Sequence, residues 1–285
     1  MTFGCVVLTT GSRPEVLALA MGSLRAQRGV ELEVVVVFNG AQPAGLPEGI
    51  REIGLVEDAG IPAARNAGAR EVGGELLFFL DDDASLVGDG ALARVAERFE
   101  ADPMLGALQL GVAPLGGGVY SRDWVPRLRV GDRTRPSEVA VLWEGAVAVR
   151  RSVFEDVGGW PAEFRFVHEG VDLAWRIMDA GFRVHYAGDI GVVHPPPAPV
   201  AAGERHAYSA YFGARNRVWL ARRHLPLPLG VLFVATFALR TLPRVNARAA
   251  LRGYRDGLRG PYPERRKLRA RTLWRMARVG RPPVI

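Results

Sequence analysis

The chain has 285 residues, of which 48% are hydrophobic and 24% are charged, and this globular composition excludes disorder throughout the chain. A single cysteine excludes an internal disulfide framework, and no basic segment precedes the first apolar run, so we expect no signal peptide and a cytoplasmic protein. The net charge of +7 is concentrated, because residues 201–285 carry 19 of the 37 basic residues and only three acidic ones, which predicts an anionic partner.

Short apolar runs alternate with amphipathic segments in the N-terminal part of the chain. The apolar runs predict buried strands over residues 4–10, 33–38 and 75–80. The segments between and after them predict helices from Pro14 to about Gln27 and over residues 62–72 and 89–101. This alternation predicts right-handed β-α-β units and a mainly parallel sheet that is covered by helices on both faces.

The second half of the chain is less regular, and residues 111–140, which are rich in glycine and charge, are left unassigned. Beyond them the patterns predict strands over residues 141–149, 183–187 and 190–193 and helices over residues 169–180 and 204–224. The last of these helices combines arginine with aromatic residues, which suits a lipid headgroup interface. The apolar run 226–239 that follows is shorter than the ~20 residues that a bilayer span needs.

Polar side chains end three of the predicted strands. Thr9 and Thr10 end the first, Asn39 ends the second, and the aspartates 81–83 end the third. Ligands of such sheets lie beyond the carboxyl ends of the strands. Adjacent carboxylates raise each other's pKa, a divalent cation relieves this conflict, and oxygen ligands suit Mg²⁺ or Mn²⁺. A solvated loop or a helix cap is the alternative, but the position at a strand end favours a metal site.

Several motifs together resemble those of family 2 inverting glycosyltransferases, and within that family the rhamnosyltransferase-like bacterial members. The motifs are Arg13-Pro14-Glu15, Ala64-Arg65-Asn66-Ala67-Gly68, Leu80-Asp81-Asp82-Asp83-Ala84, Val157-Gly158-Gly159-Trp160 and His168-Glu169-Gly170-Val171-Asp172. The resemblance implies a GT-A fold, an α/β architecture with a Rossmann-like mixed sheet flanked by helices. It also implies an enzyme that transfers a sugar, with inversion, from a nucleotide-diphosphate donor to a saccharide, cell-envelope or lipid-linked acceptor.

The resemblance also implies roles for the residues at the strand ends. Asp83 corresponds to the last acid of the family's DXD-type motif, which binds the metal, and His194 to a histidine that can complete the metal shell. Asp81 and Asp82 would lie beside the donor sugar and ribose. The other donor-binding residues implied are Thr9, Thr10, Arg13, Glu15, Asn39 and Arg65. Asn39 departs from the family pattern, which usually has an acid after the second strand, so the identity of the base stays open.

Two acids at the start of the helix 169–180 are candidates for the catalytic base. In an inverting transfer one carboxylate takes the proton from the attacking hydroxyl. The family commonly has Glu-Asp-x-Asp here, whereas this chain has Gly170 in the second position, so Glu169 is the first candidate and Asp172 the second. Both can instead serve as acids that complement the helix dipole. We assign Trp160, which can stack on a sugar face, and Glu144 to acceptor binding.

The resemblance gives a division into two regions. Residues 1–203 form the catalytic domain, with a nucleotide-sugar half over 1–110 and an acceptor half over 111–203. Residues 204–285 form a basic, partly apolar helical region that docks on the anionic inner face of the cell membrane. Two alternatives remain open. A sugar-phosphate nucleotidyltransferase would need a longer glycine-rich loop than residues 11–14 provide, and a non-catalytic module for anionic polymers, nucleic acid included, leaves the acids unexplained.

Overall fold

The computed structural model describes residues 1–43, 45–46, 50–114, 116, 122–195, 202–261 and 264–284. The strands in these residues are β1 Thr2–Thr9, β2 Glu31–Asn39, β3 Arg51–Leu55, β4 Leu76–Asp81, β5 Ser85–Leu86, β6 Leu105–Pro114, β7 Ser137–Glu138, β8 Ala146–Arg150 and β9 Arg183–His194. The helices are α1 Pro14–Arg25, α2 Ile61–Arg70, α3 Ala91–Ala101, α4 Arg151–Asp156, α5 Glu169–Asp179, α6 Ala202–His224, α7 Leu227–Thr241, α8 Ala247–Arg259 and α9 Ala270–Arg278.

One mixed sheet organises the molecule, with the strand order β3-β2-β1-β4-β8-β6-β9-β5 and β7 paired with β9. The strands β3, β2, β1 and β4 are parallel, as are β6 and β9, and the antiparallel pairs involve β8 and the two-residue strands β5 and β7. Helices pack on both faces, which is why the strands are apolar almost throughout. The predicted α/β class with a mixed, flanked sheet is confirmed.

The pairing register brings the polar strand ends together. In the parallel pair of β1 and β4, Leu8 lies opposite Asp81, so Thr9 and the aspartates emerge at the same edge. Strand β9 runs parallel to β6 and ends at His194. Because the carboxyl ends of parallel strands share one edge, His194 reaches the aspartates although more than a hundred residues separate them in sequence.

Strand β8 is shorter than the strand predicted over residues 141–149. The segment before it turns under the indole ring of Trp143, and Gly145 is the residue that lets the backbone pass there. A side chain at this position would overlap the ring, so the extended pairing begins only at Ala146. Irregular backbone therefore brings Glu144 to the edge of the sheet where the aspartates lie.

The C-terminal helices belong to the same core as the sheet. Leu220 of α6, Phe233 of α7 and Met276 of α9 are buried in one cluster with Phe79 of β4 and Trp175 of α5. The expected division at residue 203 is therefore not a division between separate cores. Helices α6, α7 and α9 thus contribute to the hydrophobic interior of the domain that carries the strand ends, whereas α8 packs on α6 in a smaller cluster.

Several arginines and aromatic rings of helix α6 contact the protein itself. Arg215 lies 4.0 Å from the ring centroid of Trp219, and Arg223 forms an ion pair with Glu163. Arg222 donates to the carbonyl of Gly257 at 2.6 Å. The Arg and aromatic mixture of this helix serves internal packing, since the long side chains cover apolar surface with their stems.

Candidate functional site

Two aspartates and a histidine can direct ligand atoms to one point at the sheet edge. Ligand atoms of Asp81, Asp83 and His194 lie within 4.8 Å of one another. His194 Nε2 is 2.9 Å from Asp83 Oδ1, and its Nδ1 is 2.7 Å from the carbonyl of Pro195. The protonated ring donates from Nε2 to Asp83 and from Nδ1 to that carbonyl, and loss of the Nε2 proton leaves a lone pair directed at the aspartates. Two carboxylates and an imidazole are a donor set that fits Mn²⁺ or Mg²⁺, and Asp81 joins the two residues predicted to bind the metal.

Arg13 supplies positive charge to the same aspartates. Its guanidinium donates to Asp83 Oδ2 and to Asp82 Oδ1, each at 2.8 Å. Burial acts to raise the pKa of Asp83, but the hydrogen bonds from His194 and Arg13 prevail and lower it to about 2. Burial raises the pKa of Asp82, although the hydroxyl of Thr9 donates to it at 2.6 Å. The site therefore holds Asp83 as a fully ionised ligand over the whole neutral range.

Arg65 connects the metal-ligand set to the start of α5. It donates to Asp81 Oδ1 at 2.7 Å, and its Nη1 lies 4.0 Å from Glu169 Oε1. Among the described residues, neither Arg65 Nη1 nor Glu169 Oε2 has a hydrogen-bond partner, although both atoms are buried. Unpaired polar atoms at this depth are costly, so they point to a ligand-binding position between Asp81 and Glu169.

Glu144, which is half-buried, and Glu169, which is buried, form an acidic pair. The backbone N–H of Gly170 donates to Glu144 Oε1 at 2.5 Å. Burial and then the charge of Glu169 raise the pKa of Glu144. Burial also raises the pKa of Glu169 despite the nearby Arg65, and Asp81 adds to the increase. Like charges that share a desolvated region retain a proton above the usual range, which is the property of a base that works near neutral pH.

The position of Glu144 explains why residue 170 is a glycine. A side chain at position 170 would overlap Glu144 Oε1 and the carbonyl oxygen of Leu142. The acid that the family usually has at this position is therefore replaced in space by Glu144, which comes from the irregular segment before β8. Sequence reasoning assigned Glu144 to the acceptor, and the structure brings it to the candidate base.

Asp172, the second candidate base, pairs with Arg176 and with the end of α6, and not with Glu144 or Glu169. It is fully buried and accepts hydrogen bonds from Arg176 Nε and His224 Nε2, each at 2.6 Å. Burial favours its neutral form, but Arg176, His224 and Arg223 hold its pKa below the ordinary value. Asp172 thus ties α5 to the end of α6, and its carboxylate is fully used in that contact. Arg176 lies four residues after Asp172 on the same helix, so the two side chains pair along one face of α5.

The surroundings of Trp160 contradict its predicted role in acceptor binding. Its ring is 1% exposed and packs against Phe79 at 5.1 Å between ring centroids. The guanidinium of Arg65 lies 5.3 Å from the ring centroid of Trp160. A ring that is enclosed in this way cannot stack on a sugar. It instead supports Arg65 by packing against the guanidinium.

The other residues predicted to bind the sugar donor differ in their hydrogen-bond partners and their exposure. Asn39 donates to Asp58 Oδ1 at 2.7 Å and accepts from the N–H of Ala59 at 2.8 Å, so Asp58, which the sequence did not single out, brings a carboxylate to the end of β2. Thr10 shares a hydrogen bond with Ser12, and Glu15 is exposed in the first turn of α1. The donor roles of Thr10 and Glu15 stay predictions.

A strained segment precedes Glu169, and sequence reasoning missed it. Arg165, Val167 and His168 have φ values of 61°, 55° and 69°, which are unfavourable for residues with a β-carbon. Asn216 of α6 donates to the carbonyls of Phe164, Phe166 and Val167 at 2.9, 2.7 and 2.9 Å. Helix α6 therefore holds the conformation that aims the start of α5.

Comparison with known proteins places these features in a family context. The profile of "Glycosyl transferase family 2" matches residues 5–158. The O-antigen biosynthesis protein RfbC of Myxococcus xanthus is 27% identical over 87% of this chain and 22% of its own length. Glycosyltransferase AglE of Haloferax volcanii is 31% identical over 57% of this chain and 56% of its own. The chain thus spans about a fifth and about half of the lengths of these two relatives.

Solved structures show the same fold. Residues 1–349 of S. aureus TarS superpose with a TM-score of 0.60 at 15% identity, covering 91% of this chain and 81% of TarS 1–349. The mannosyltransferase PcManGT from Pyrobaculum calidifontis, solved with GDP-Man and Mn²⁺, gives a TM-score of 0.57 at 18% identity, covering 97% of this chain and 72% of its own. At these identities the likeness shows the fold, and the predicted GT-A class is confirmed.

Proposed function

This chain belongs to glycosyl transferase family 2, and from that membership we propose that it transfers a sugar from a nucleotide-diphosphate donor to a hydroxyl of an acceptor, with inversion. The observation that carries the proposal is the continuous arrangement from the metal-ligand set through Arg65 to the acidic pair of Glu169 and Glu144. It supports a diphosphate site at one end and a base at the other.

The donor side rests on Asp81, Asp83 and His194, which would hold a Mg²⁺ or Mn²⁺ ion. Such an ion supplies charge neutralisation for the departing nucleoside diphosphate. PcManGT was solved with GDP-Man and Mn²⁺, and TarS 1–349 with UDP-GlcNAc, which supports a nucleotide-sugar donor here. Arg13 and Arg65 add fixed positive charge beside the aspartates, as an anionic diphosphate requires.

The acceptor side rests on Glu169. The acceptor oxygen forms a bond to the anomeric carbon while the bond from that carbon to the diphosphate oxygen breaks, and Glu169 takes the proton of the hydroxyl. A single displacement of this kind inverts the configuration. The raised pKa of Glu169 suits this task, since a base is most effective when its pKa lies near the working pH.

We place the enzyme at the cytoplasmic face of the membrane, associated peripherally through α7 rather than α6. Large apolar side chains are exposed on α7, including Leu227 at 75% and Leu239 at 77%. Among the described residues, one helical stretch, Leu227–Arg244, has the length and composition of a membrane span, with mean hydropathy 1.3 and 11% of it buried. Part of α7, Phe233 above all, is anchored in the core, which favours a helix that lies on the membrane surface.

Release of nucleoside diphosphate from a panel of nucleotide sugars tests the function, with Mn²⁺ or Mg²⁺ present. We expect slow release by the wild-type protein, and a loss of about 100-fold in Asp83→Asn, because the substitution removes a charged ligand. Asp89→Asn is the matched control, since Asp89 is an exposed acid that pairs only with Arg28 among the described residues. Thermal melting establishes that both variants fold.

Two outcomes would contradict the proposal. Conversion of a nucleotide sugar and added pyrophosphate into a nucleoside triphosphate and a sugar 1-phosphate would indicate a nucleotidyltransferase. Wild-type turnover in Asp83→Asn would remove the metal-ligand role of this residue.

A further inference from the structure

A basic cavity of about 570 Å³ has Glu144 in its lining. Its walls come from the segment before β8, from α5 and the residues before it, from α6 and α7, and from the C-terminal residues 281–283. Four arginines line it: Arg122, which donates to backbone carbonyls of its own segment, Arg217 of α6, Arg240 of α7, and Arg281. Glu144 and His168 lie on the wall nearest the candidate base.

Arg217 is the central observation. It is only 5% exposed, and its Nη2 is buried without a hydrogen-bond partner among the described residues. Its Nε donates to the carbonyl of Phe233 at 3.2 Å, and its guanidinium lies over the rings of Phe233 and Phe237. Within the described part of the chain no carboxylate lies within 4.0 Å of it. A buried cation without a counter-ion is costly unless a ligand supplies the opposite charge.

The neighbours of Arg217 add to this charge instead of balancing it. Burial, and then Arg240 and Arg281, lower the pKa of Arg217 to about 8. Burial together with Arg217 also lowers the pKa of His168, to about 3, so this histidine is neutral and adds no positive charge at neutral pH. The protein thus collects arginines around one cavity, which fits a ligand that carries more than one negative charge.

We propose that this cavity binds a phosphate group of the acceptor, with Arg217 as the buried anchor and Arg240 and Arg281 at its sides. The inference rests on the proposed function, because the bound phosphate would fix the acceptor so that its hydroxyl approaches Glu169. Guanidinium groups match phosphate oxygens in geometry, and a phosphate carries about −1.5 to −2 charges at neutral pH, more than a carboxylate. The phosphate can belong to a lipid headgroup or to a soluble sugar phosphate.

The apolar part of the lining suggests how the two sources can be separated. Phe233, Phe237 and Pro282 form walls next to the arginines, and α7 continues from there to its exposed leucines. Dodecyl phosphate, kept below its micelle concentration, represents a lipid phosphate, glycerol 3-phosphate represents a soluble one, and dodecanol is the uncharged control. Binding is measured by calorimetry and by the fluorescence of Trp143, which lines the cavity, with EDTA present so that no divalent ion contributes.

We expect the full-length wild-type protein to bind dodecyl phosphate and not dodecanol. Arg217→Met should weaken this binding at least about tenfold and Arg240→Gln several-fold, since charge-assisted hydrogen bonds are lost. Arg217→Met should fold, because a buried charge without a partner is replaced by an apolar chain of similar length. If Arg217→Met does not fold, Arg240→Gln provides the test. This variant should fold, because Arg240 is exposed and its side chain donates to a carbonyl of its own helix. Arg252→Gln, an exposed arginine of α8, is the matched control.

The outcomes separate the possibilities. Tighter binding of dodecyl phosphate than of glycerol 3-phosphate supports a lipid-linked acceptor, and equal binding of the two supports recognition of the phosphate alone. Absence of binding to both probes, or equal binding in wild type, Arg217→Met and Arg240→Gln, would overturn the inference. Donor hydrolysis by the wild-type protein reports separately on the proposed function, so each of the two can fail without the other.

Discussion

At the scale of single residues, the carboxylate of Glu144 occupies the space that a side chain at position 170 would fill, although the two positions are far apart in sequence. Gly170 has no side chain, and its N–H holds Glu144 in the region that a residue at position 170 would occupy. Glu144 follows an irregular turn before β8, so no local pattern relates it to Glu169. Their shared burial makes each carboxylate harder to ionise.

The pH dependence of transfer should reveal this pair. Glu144→Gln removes a negative neighbour of Glu169 and keeps an oxygen that accepts from Gly170. Wherever Glu144 is ionised, its loss should lower the pKa of Glu169, and the acid limb of the kcat profile should then move to lower pH. Steady-state rates measured across the pH range check this, with the exposed Glu155→Gln as the control. An acid limb that stays in place would show that the two carboxylates do not interact.

The stability of the same variant has a defined sign. Both carboxyls have pKa values above the ordinary 4.5 in the folded protein, so above that pH the folded state binds more protons than the unfolded chain. Their contribution to the unfolding free energy therefore declines as the pH rises. Glu144→Gln removes one of these groups, and its stability relative to wild type should be greater at about pH 8 than at about pH 5. Urea unfolding checks this, and an equal stability difference at the two pH values would show that the pKa of Glu144 is not raised in the folded protein.

The residues of the donor side could be predicted from the sequence more readily than those of the acceptor side. Asp81, Asp83 and His194 all follow apolar strands, and parallel pairing brings such ends to one edge whatever the details of packing. Asp172 and Trp160 could not be judged in the same way, because their burial depends on α6 and on the core around Phe79. Periodicity shows that a helix exists, but it does not show what covers each of its faces.

At the scale of elements, the same reasoning explains which strands and helices were found. The runs that became β1, β2 and β4 are apolar without interruption, because both faces of the sheet are covered. Strand β3 is half-exposed, and β5 and β7 have two residues each, so they carry no comparable signal. Strand β6 enters the glycine-rich segment that could not be assigned.

Helix α6 is an element whose function depends entirely on tertiary contacts. Its Asn216 uses one amide to satisfy three carbonyls of the strained segment before Glu169. Without these bonds the positive φ values of Val167 and His168 have no support. Asn216 is thus a positioning residue for the base, although it lies in the region that sequence reasoning assigned to the membrane.

Replacing Asn216 tests this role. Asn216→Ala removes the side-chain donor from the carbonyls of Phe166 and Val167, whereas the carbonyl of Phe164 keeps Arg215 as a donor. The unfolding free energy should fall by about 2–3 kcal/mol, and kcat should fall at least about tenfold. Asn216→Asp keeps the size but removes the N–H groups, so it should not restore kcat. The control is Asn246→Ala, which removes the N-cap contact to Ala249 at about 1 kcal/mol and lies outside the site. Wild-type kcat in folded Asn216→Ala would remove the positioning role.

At the scale of the whole molecule, the basic C-terminal region divides its charge between the interior and the surface. Arginines 215, 222, 223 and 275 contact carbonyls or carboxylates of the protein. The count of basic residues therefore overstates the charge that is available to an external anion. What the composition could not show is the exposed apolar surface of α7, because only the fold reveals that Phe233 faces inward while Leu227, Val231 and Leu239 face out.

Membrane association should depend on these exposed side chains. The combined variant Leu227→Gln, Val231→Gln and Leu239→Gln keeps the core, and it should lower partitioning onto vesicles of phosphatidylglycerol and phosphatidylethanolamine at least about tenfold, because each leucine or valine contributes up to about 1.5–3 kcal/mol when inserted. Sedimentation at about 0.15 M salt screens surface charge and isolates this apolar contribution. Leu19→Gln with Val56→Gln is the matched control, since both side chains are exposed far along the chain from α7. If the triple variant sediments as the wild type does, or if the control loses binding equally, α7 is not the docking element.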